Sequence, residues 1–384
     1  MSAPAVPHAQ VTVDLPAIRD NTARLVSAAG PAATMAVVKA DGYGHGLVPA
    51  ARAARAGGAQ WLGTAVLAEA VALRRAGVDG RVLAWLAAPG EDYDTALSAD
   101  IDVAAYSRWQ LDEIAAAGRR TGITARVHLK ADTGLGRGGI MPDDWQAGVD
   151  HALELESDGA VRVVGVWTHF AYADAPGHST IAAQLETFAD AVAIAEKAGA
   201  ELEVRHAANS AATLTLPDAH FDMVRPGLAV YGLSPIPDVA SADDLGLRPA
   251  MRLSARVALV KDVPAEHGVS YGHTYVTPQA TRLALVPVGY ADGVPRHASG
   301  TGPVHVGGQT FPIAGRVCMD QVVLDIGTAD VAAGDDAVLF SDGRDGEPIA
   351  QDWADAAGTI SYEIVTRVSG RLPRRYVPLT DGAV

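Results

Sequence analysis

The sequence predicts an α/β fold joined to a β fold: an N-terminal (β/α)8 TIM-type barrel over 12–240, followed by a mostly β domain over 247–384. Three observations carry this. Short apolar runs alternate with amphipathic segments of helical period from about residue 12 to 235. That alternation stops at SPIPDVASADDLG (234–246), a Pro/Ser/Asp-rich stretch that reads as a linker, and the sequence beyond it is β-rich. Finally, 384 residues with 49% hydrophobic content are enough for two or three domains with their own cores.

The strand candidates of the first domain are 35–39 (MAVVK), 61–65, 82–86, 101–105, 125–130 (ARVHLK), 162–168 (RVVGVWT), 203–206 and 221–224. A doubly wound sheet shares the alternation, and the count of eight units favours closure into a barrel. Helical stretches lie between them at 16–29, 47–57, 67–76, 107–119 and 180–199, several stopping at a glycine suited to a left-handed C-cap: Gly30, Gly57, Gly77 and Gly199. After the linker, strands are expected in 251–263, 282–289, 303–317, 321–326 and 337–341, with one helix over 348–357. Pro287 and Pro312 mark edges or bends.

Thirty basic against 45 acidic residues leave a net charge of −15, which repels nucleic-acid backbones and anionic lipid. A small anionic ligand in a local basic pocket remains compatible with it. The single cysteine, Cys318, excludes an intrachain disulfide. The start, MSAPAVPHAQ, lacks a basic region and an apolar core, and no uncharged run reaches about 18 residues, so no signal peptide or membrane span is expected and the cytoplasm is the expected location.

The basic residues are unevenly chosen: 26 are arginine and four are lysine, at 39, 130, 197 and 261. Arginine serves on a solvated surface but not where an amine must lose its proton and act as a nucleophile. Lys39 closes an apolar strand in VVKADGYGHG, which in a barrel is the C-terminal mouth where catalytic groups collect. By position alone it reads equally as a snorkelling strand-end lysine or as a reactive amine. Lys197 beside Glu196 and Lys261 beside Asp262 read as surface residues.

The segment around Lys39 resembles the cofactor-attachment motif of bacterial alanine racemases, whose common form has Asn where this chain has Asp41. KADTGLGRGG (130–139), THF (168–170), HAANS (206–210), MVRPGLAVYG (223–232), GVSYG (268–272), VGYADG (288–293), GRVCMD (315–320) and SYEI (361–364) resemble further segments of that family, in the family's order. The resemblance spans nearly the whole chain. It implies an isomerase that interconverts L-alanine and D-alanine by two bases through a pyridoxal 5'-phosphate aldimine, supplying D-alanine for peptidoglycan, with no metal. It also implies a homodimer whose active sites are shared between subunits.

Roles follow from the resemblance residue by residue. Lys39 would form the Schiff base with the cofactor and act as base on one face of the substrate, and Tyr271, from the partner subunit, would act on the other. A phenol ionises near 10, so this role needs neighbouring cations. Arg225 would face the pyridine nitrogen; a guanidinium cannot fully give up its proton, which makes the ring a weaker electron sink than one facing a carboxylate. Tyr43, Ser210 and Tyr362 would offer hydroxyls to the phosphate, with the backbone N–H groups of Gly227 and Leu228, in the first turn of a helix after Pro226, beside them. Read by itself, Ser210 is a helix N-cap. Asn209 belongs to the cofactor shell, and His169 would link Arg225 to Tyr271 of the partner. Arg137 would hold the substrate carboxylate, oriented by a carbamylated Lys130; an unmodified Lys130 paired with Asp132 or another acid is the other reading. The Met319 N–H and the Asp320 side chain would reach the same carboxylate across the dimer. Tyr290 and Tyr362 would form an inner gate, and Asp174, Arg296 and Arg316 an outer entrance.

Three rivals are weaker. A decarboxylase of the same two-domain cofactor architecture lacks the match at GVSYG and Arg225; a bare cofactor carrier would not need residues 247–384. A metal-dependent barrel hydrolase would need clustered ligands, and the 12 histidines show no such spacing.

Overall fold

The computed structural model describes residues 7–379, so positions 380–384 of the expected second domain lie outside the described residues. The chain opens with β1 (Ala9–Asp14) and the helix Leu15–Ala29, whose first turn is capped by the Asp14 carboxylate accepting from the Ala17 N–H at 2.9 Å. The barrel strands follow: β2 (Ala33–Val37), β3 (Trp61–Val66), β4 (Arg81–Leu86), β5 (Asp102–Ala105), β6 (Ala125–Lys130), β7 (Val161–Trp167), β8 (Val204–His206) and β9 (Met223–Val224). Their order is β8-β7-β6-β5-β4-β3-β2-β9, with all pairings parallel. The ring closes where the Asp222 N–H donates to the Arg205 carbonyl at 3.1 Å and the Arg225 N–H to the Ala208 carbonyl at 2.8 Å. Met35, Trp61, Leu83, Ala104, Trp167, Val204 and Met223 form a separate buried cluster, made entirely of strand residues.

The second domain consists of β10 (Met251–Arg256), β11 (Leu259–Val263), β12 (Gly268–Val269), β13 (Tyr275–Val276), β14 (Thr281–Val286), β15 (Pro303–Val306), β16 (Gln309–Pro312), β17 (Val322–Asp325), β18 (Asp336–Phe340) and β19 (Arg374–Val377). Its largest sheet runs β16-β15-β18-β10-β1-β19. Residues 12–14, expected to open the barrel, therefore belong to β1, which pairs antiparallel with β10 and parallel with β19. Polarity alternates along β1 in the pattern of a half-buried strand, and its partner lies some 240 residues away, beyond the reach of a local reading.

This strand joins the two parts. The helix Leu15–Ala29 leaves β1 directly, Asp14 forms an ion pair with Arg248, and Asn21 both donates to the Arg248 carbonyl (2.9 Å) and accepts its N–H (2.8 Å). Two helices, Ala350–Ala357 and Ser361–Thr366, complete the second domain; the latter was not anticipated as a helix. Gly30, Gly77 and Gly199 take the positive φ expected after a helix, but Gly57 does not, at −81°. Its glycine answers to packing: a Cβ there would stand 2.3 Å from the Arg19 carbonyl oxygen. Among the described residues, no helix is long and apolar enough to cross a membrane.

Candidate active site

Strand β2 stops at Val37, so Lys39 does not end the strand as expected but begins the turn that leaves it. That turn is left-handed: Ala40, Asp41, Gly42 and Tyr43 have φ of 54°, 53°, 61° and 51°. Side chains in this region cost about 1–2 kcal/mol each, so other contacts must hold it. The His45 Nδ1 lies 3.0 and 2.9 Å from the Gly42 and Tyr43 carbonyls, the Asp41 carboxylate accepts the Leu47 N–H at 2.8 Å, and Arg374 donates to the Gly44 carbonyl at 2.9 Å. Asp at position 41 suits the turn because short polar side chains tolerate left-handed backbone. Gly44 (φ +80°) lies so near the helix Ser361–Thr366 that a Cβ would stand 2.3 Å from the Val365 carbonyl oxygen.

Lys39 projects into a cleft of about 710 Å³ at the barrel mouth, closed on one side by Tyr362 of that helix. The cleft brings together Lys39, Tyr43, Lys130, Arg137, His169, Asn209, Ser210, Arg225, Gly227, Leu228 and Tyr362. Four of these are cations, and among the described residues no Asp or Glu lines the cleft. Burial and the Arg137 charge hold the Lys39 amine below its ordinary pKa, with Glu69 opposing. Lys130 is 7% exposed, and burial with Arg137 and Arg225 brings its amine down to about 8. The alternative pairing of Lys130 with Asp132 is not formed: the Asp132 carboxylate instead accepts the Gly134 and Gly136 N–H groups at 3.0 and 3.1 Å.

Arg225, buried just after β9, spreads its guanidinium across the mouth. It donates to the Thr168 and Ala207 carbonyls (2.7 and 3.1 Å) and reaches the Nδ1 atoms of His206 (3.1 Å) and His169 (3.4 Å). Burial lowers its pKa to about 9. Burial and the surrounding cations, Arg225 foremost among them, hold His169 neutral, far below the usual histidine range. The Trp167 ring centroid lies 5.0 Å from both Arg225 and the Lys130 Nζ, a cation–π floor.

Two details differ from expectation. Asn209, not Ser210, caps the helix Ser210–Thr215 by accepting the Ala212 N–H at 3.1 Å. Freed from that task, the Ser210 Oγ accepts the Gly227 N–H (2.8 Å) and the Ala229 N–H (3.3 Å), so the Gly227 N–H is spent inside the protein rather than offered to an anion. The Ser210 hydroxyl proton remains free to donate into the cleft it lines. Tyr43 stacks on Tyr231, and burial raises its phenol above the ordinary range; Tyr362 is pushed up to about 12 by burial and by Asp174.

The remaining candidates do not line this cleft. Tyr271, 69% exposed, sits in the short turn Tyr271–His273, and its neighbour Ser270 donates to the Arg316 carbonyl at 2.7 Å. The Tyr290 N–H donates to the Cys318 carbonyl (3.0 Å) and the Ala291 N–H to that of Met319 (2.9 Å); Asp320 pairs with Arg371 at 2.6 Å. Tyr271, Tyr290, Arg316, Met319 and Asp320 thus form a second group on the β domain, with Arg296 in the turn Arg296–Ala298 near it, since Ser299 accepts the Val317 N–H at 3.0 Å. Asp174 stays with the first group, close enough to act on Tyr362. Lys197 and Lys261 are exposed, as expected.

Three polar residues beneath the mouth were not foreseen: His206, His128 and Asp102, all wholly buried. HAANS and ARVHLK display the two histidines, but which strands bring them together is not written in either segment.

The chain matches the models of the alanine racemase N-terminal domain over residues 13–235 and of the alanine racemase C-terminal domain over 250–376. It is 60% identical over 365 residues to the alanine racemase of Frankia casuarinae, covering 95% of each chain. It superposes on the crystal structure of alanine racemase from D-cycloserine producing Streptomyces lavendulae with a TM-score of 0.96 at 55% identity, over 98% of this chain and 99% of that one. The alanine racemase of Bacillus anthracis with bound L-Ala-P gives a TM-score of 0.89 at 34% identity, over 98% and 96%. With both domains matched and nearly every residue covered, the chain belongs to the alanine racemase family of isomerases.

Proposed function

We propose that the protein interconverts L- and D-alanine with bound pyridoxal 5'-phosphate, as a homodimer that shares its active sites. The observation that carries this is the cleft itself: a lysine with a lowered pKa among three further cations, with no carboxylate among the described residues that line it. A cluster of like charges is costly to bury, and an anionic cofactor and an amino-acid carboxylate are the partners that relieve it.

The residues fit the cofactor. Lys39 offers the amine that would hold its aldehyde, the buried Arg225 would be the donor for the ring, and Ser210, Tyr43 and Tyr362 line the wall with hydroxyls suited to the phosphate. When bound, pyridoxal phosphate supplies an electron sink that acidifies the substrate Cα–H. The chain's part is to move that proton. Lys39 would hold the proton on one face of the substrate, and Tyr271 of the partner subunit would be the base on the other. Arg137 binds the substrate carboxylate, with a carbamylated Lys130 orienting its guanidinium, and the Met319 N–H and Asp320 approach from the partner. His169 links Arg225 to the partner's side of the site. Tyr362, with Tyr290 of the partner subunit, narrows the way in, which suits a methyl side chain, and Asp174 flanks the outer entrance with Arg296 of the partner subunit and Arg316 of the partner subunit. In a bacterial cytoplasm the product would serve peptidoglycan synthesis.

Purified protein supplied with pyridoxal phosphate and L-alanine should lose optical rotation and accumulate D-alanine to equal amounts, with Lys39→Ala inactive. Release of carbon dioxide without D-alanine would replace this reading by decarboxylation.

A further inference from the structure

Below Arg225, a line of hydrogen-bonded polar side chains runs down the middle of the barrel. The Arg225 Nη1 is 3.1 Å from the His206 Nδ1, the His206 Nε2 is 3.0 Å from the His128 Nδ1, and the His128 Nε2 is 3.2 Å from the Asp102 carboxylate. These residues come from or just after β9, β8, β6 and β5. His206, His128 and Asp102 are 0% exposed. At the far end Asp102 pairs with Arg81 (2.6 Å) and Arg126 (2.7 Å). The surroundings fix both rings: Trp167 stacks parallel on His206, Trp61 meets His128 edge-on, and a Cβ at Gly165 would stand 2.5 Å from the His128 Nδ1. An apolar filling would avoid the cost of burying these groups, so the line has a use beyond packing.

Its polarity follows from donor chemistry. A guanidinium has no acceptor, so the His206 Nδ1 must accept from Arg225. A neutral His206 then carries its proton on Nε2 and donates to His128, whose proton in turn sits on Nε2 and points at Asp102. If His128 bore a second proton, on Nδ1, His206 would have to accept at Nε2 and present Nδ1–H to Arg225, donor against donor. The carboxylate at one end and the guanidinium at the other thus admit a single arrangement, in which each bond polarises the next. Burial alone would raise the Asp102 carboxyl; the hydrogen bonds from His128 and Arg81 and the charge of Arg81 act against it and hold the group below the usual carboxylate range.

We propose that Asp102 and His128 are positioning residues for Arg225: they fix the tautomer of His206, which holds the guanidinium in place toward the cofactor ring. This rests on the reading above that Arg225 faces that ring.

The test combines two readouts on the holoenzyme. With 15N-labelled histidine, NMR between about pH 6.5 and 9 should show His128 and His206 neutral with the proton on Nε2; a charged ring or an Nδ1–H tautomer at either position overturns the proposal. Asp102→Asn should lose that single pattern, shift the absorption of the bound cofactor and lower kcat about tenfold with KM for alanine little changed. Because Asp102→Asn leaves Arg81 and Arg126 facing a neutral amide and can fail to fold, His128→Phe is the second variant; it cuts the line and spares those ion pairs. An unchanged cofactor spectrum and kcat in His128→Phe, with Arg225→Gln altering the spectrum, refutes the line alone. An unchanged spectrum in Arg225→Gln refutes the placing of Arg225 and this proposal with it.

Discussion

The Oη of Tyr43 stands 2.3 Å from the point a Cβ on Gly227 would occupy, with the phenol Cζ at 3.0 Å. Gly227 has a negative φ of −114°, so no left-handed backbone calls for glycine here, and the space taken by Tyr43 does. Tyr43 cannot retreat, being held in a left-handed turn and stacked on Tyr231 at 4.9 Å. Gly227→Ala should therefore cost about 1–3 kcal/mol and weaken pyridoxal phosphate binding. Removing the Oη by Tyr43→Phe in the same chain should restore part of the loss. Thermal melts of the two single variants and the double, with and without cofactor, measure the coupling; additive effects would show that the two residues do not compete for this space.

The left-handed turn gives acid sensitivity a definite source. His45 is 1% exposed, its Nδ1 bonds two carbonyls of the turn, and burial lowers its pKa to about 4. The unfolded chain takes up this proton near pH 6.5 while the folded one resists, so stability falls as pH drops from about 6.5 to 4, by about 3 kcal/mol at the limit. His45→Phe should lose about 1–2 kcal/mol at neutral pH and show a flatter decline on acidification. Urea unfolding at pH 7 and 4.5 provides both numbers; parallel declines in the two proteins would assign the acid sensitivity elsewhere.

The alternating pattern and the Lys39 segment were enough to anticipate the barrel and the amine at its mouth, because both are local: strand period, helix stops, and a motif within ten residues. What escaped depends on contacts distant in sequence. β1 looks like the start of the barrel until its pairing with β10 is seen. Ser210 reads as a helix cap because capping is a local rule, but Asn209 takes that place and leaves Ser210 to the Gly227 N–H, 17 residues on. Asp102 is the lone polar residue of its strand and His128 shares its strand with Arg126 and Lys130, and only the closing of the barrel brings the two together.

The Lys130 amine, with a pKa of about 8, is nearly a unit above neutral pH and far below a free lysine. In the carbamylation proposed above, its neutral form would attack carbon dioxide, forming an N–C bond and releasing one proton, and the resulting anion would replace a buried positive charge with a partner for Arg137. The unmodified ammonium lowers stability below pH 8, and the penalty lifts as pH rises from about 8 to 10.5, where the unfolded chain still holds the proton. With 13C-bicarbonate, NMR should reveal a carbamate carbonyl that strengthens from about pH 7 to 9 and is absent in Lys130→Arg. That variant should raise KM for alanine about tenfold or more through a misdirected Arg137. An intact amine at Lys130 in a crystal grown with bicarbonate would exclude the modification.

Two groups of candidate residues stand apart in one chain: Lys39 with its cations in the barrel cleft, and Tyr271 with Met319 on the β domain. Tyr271 and Met319 are 69% and 53% exposed, a poor use of large apolar surface unless another surface covers them. If the second group completes the cleft of a partner subunit, Lys39→Ala and Tyr271→Ala homodimers are each inactive, but a dimer of one with the other keeps one site with both bases. Mixing the two proteins under conditions that exchange subunits should therefore restore activity, at most about a quarter of wild type at equal mixing, since half the dimers are mixed and each carries one intact site. Separately tagged subunits, purified in tandem, isolate the mixed dimer and give its rate directly. A mixed dimer that forms but stays inactive would place both bases in the same chain.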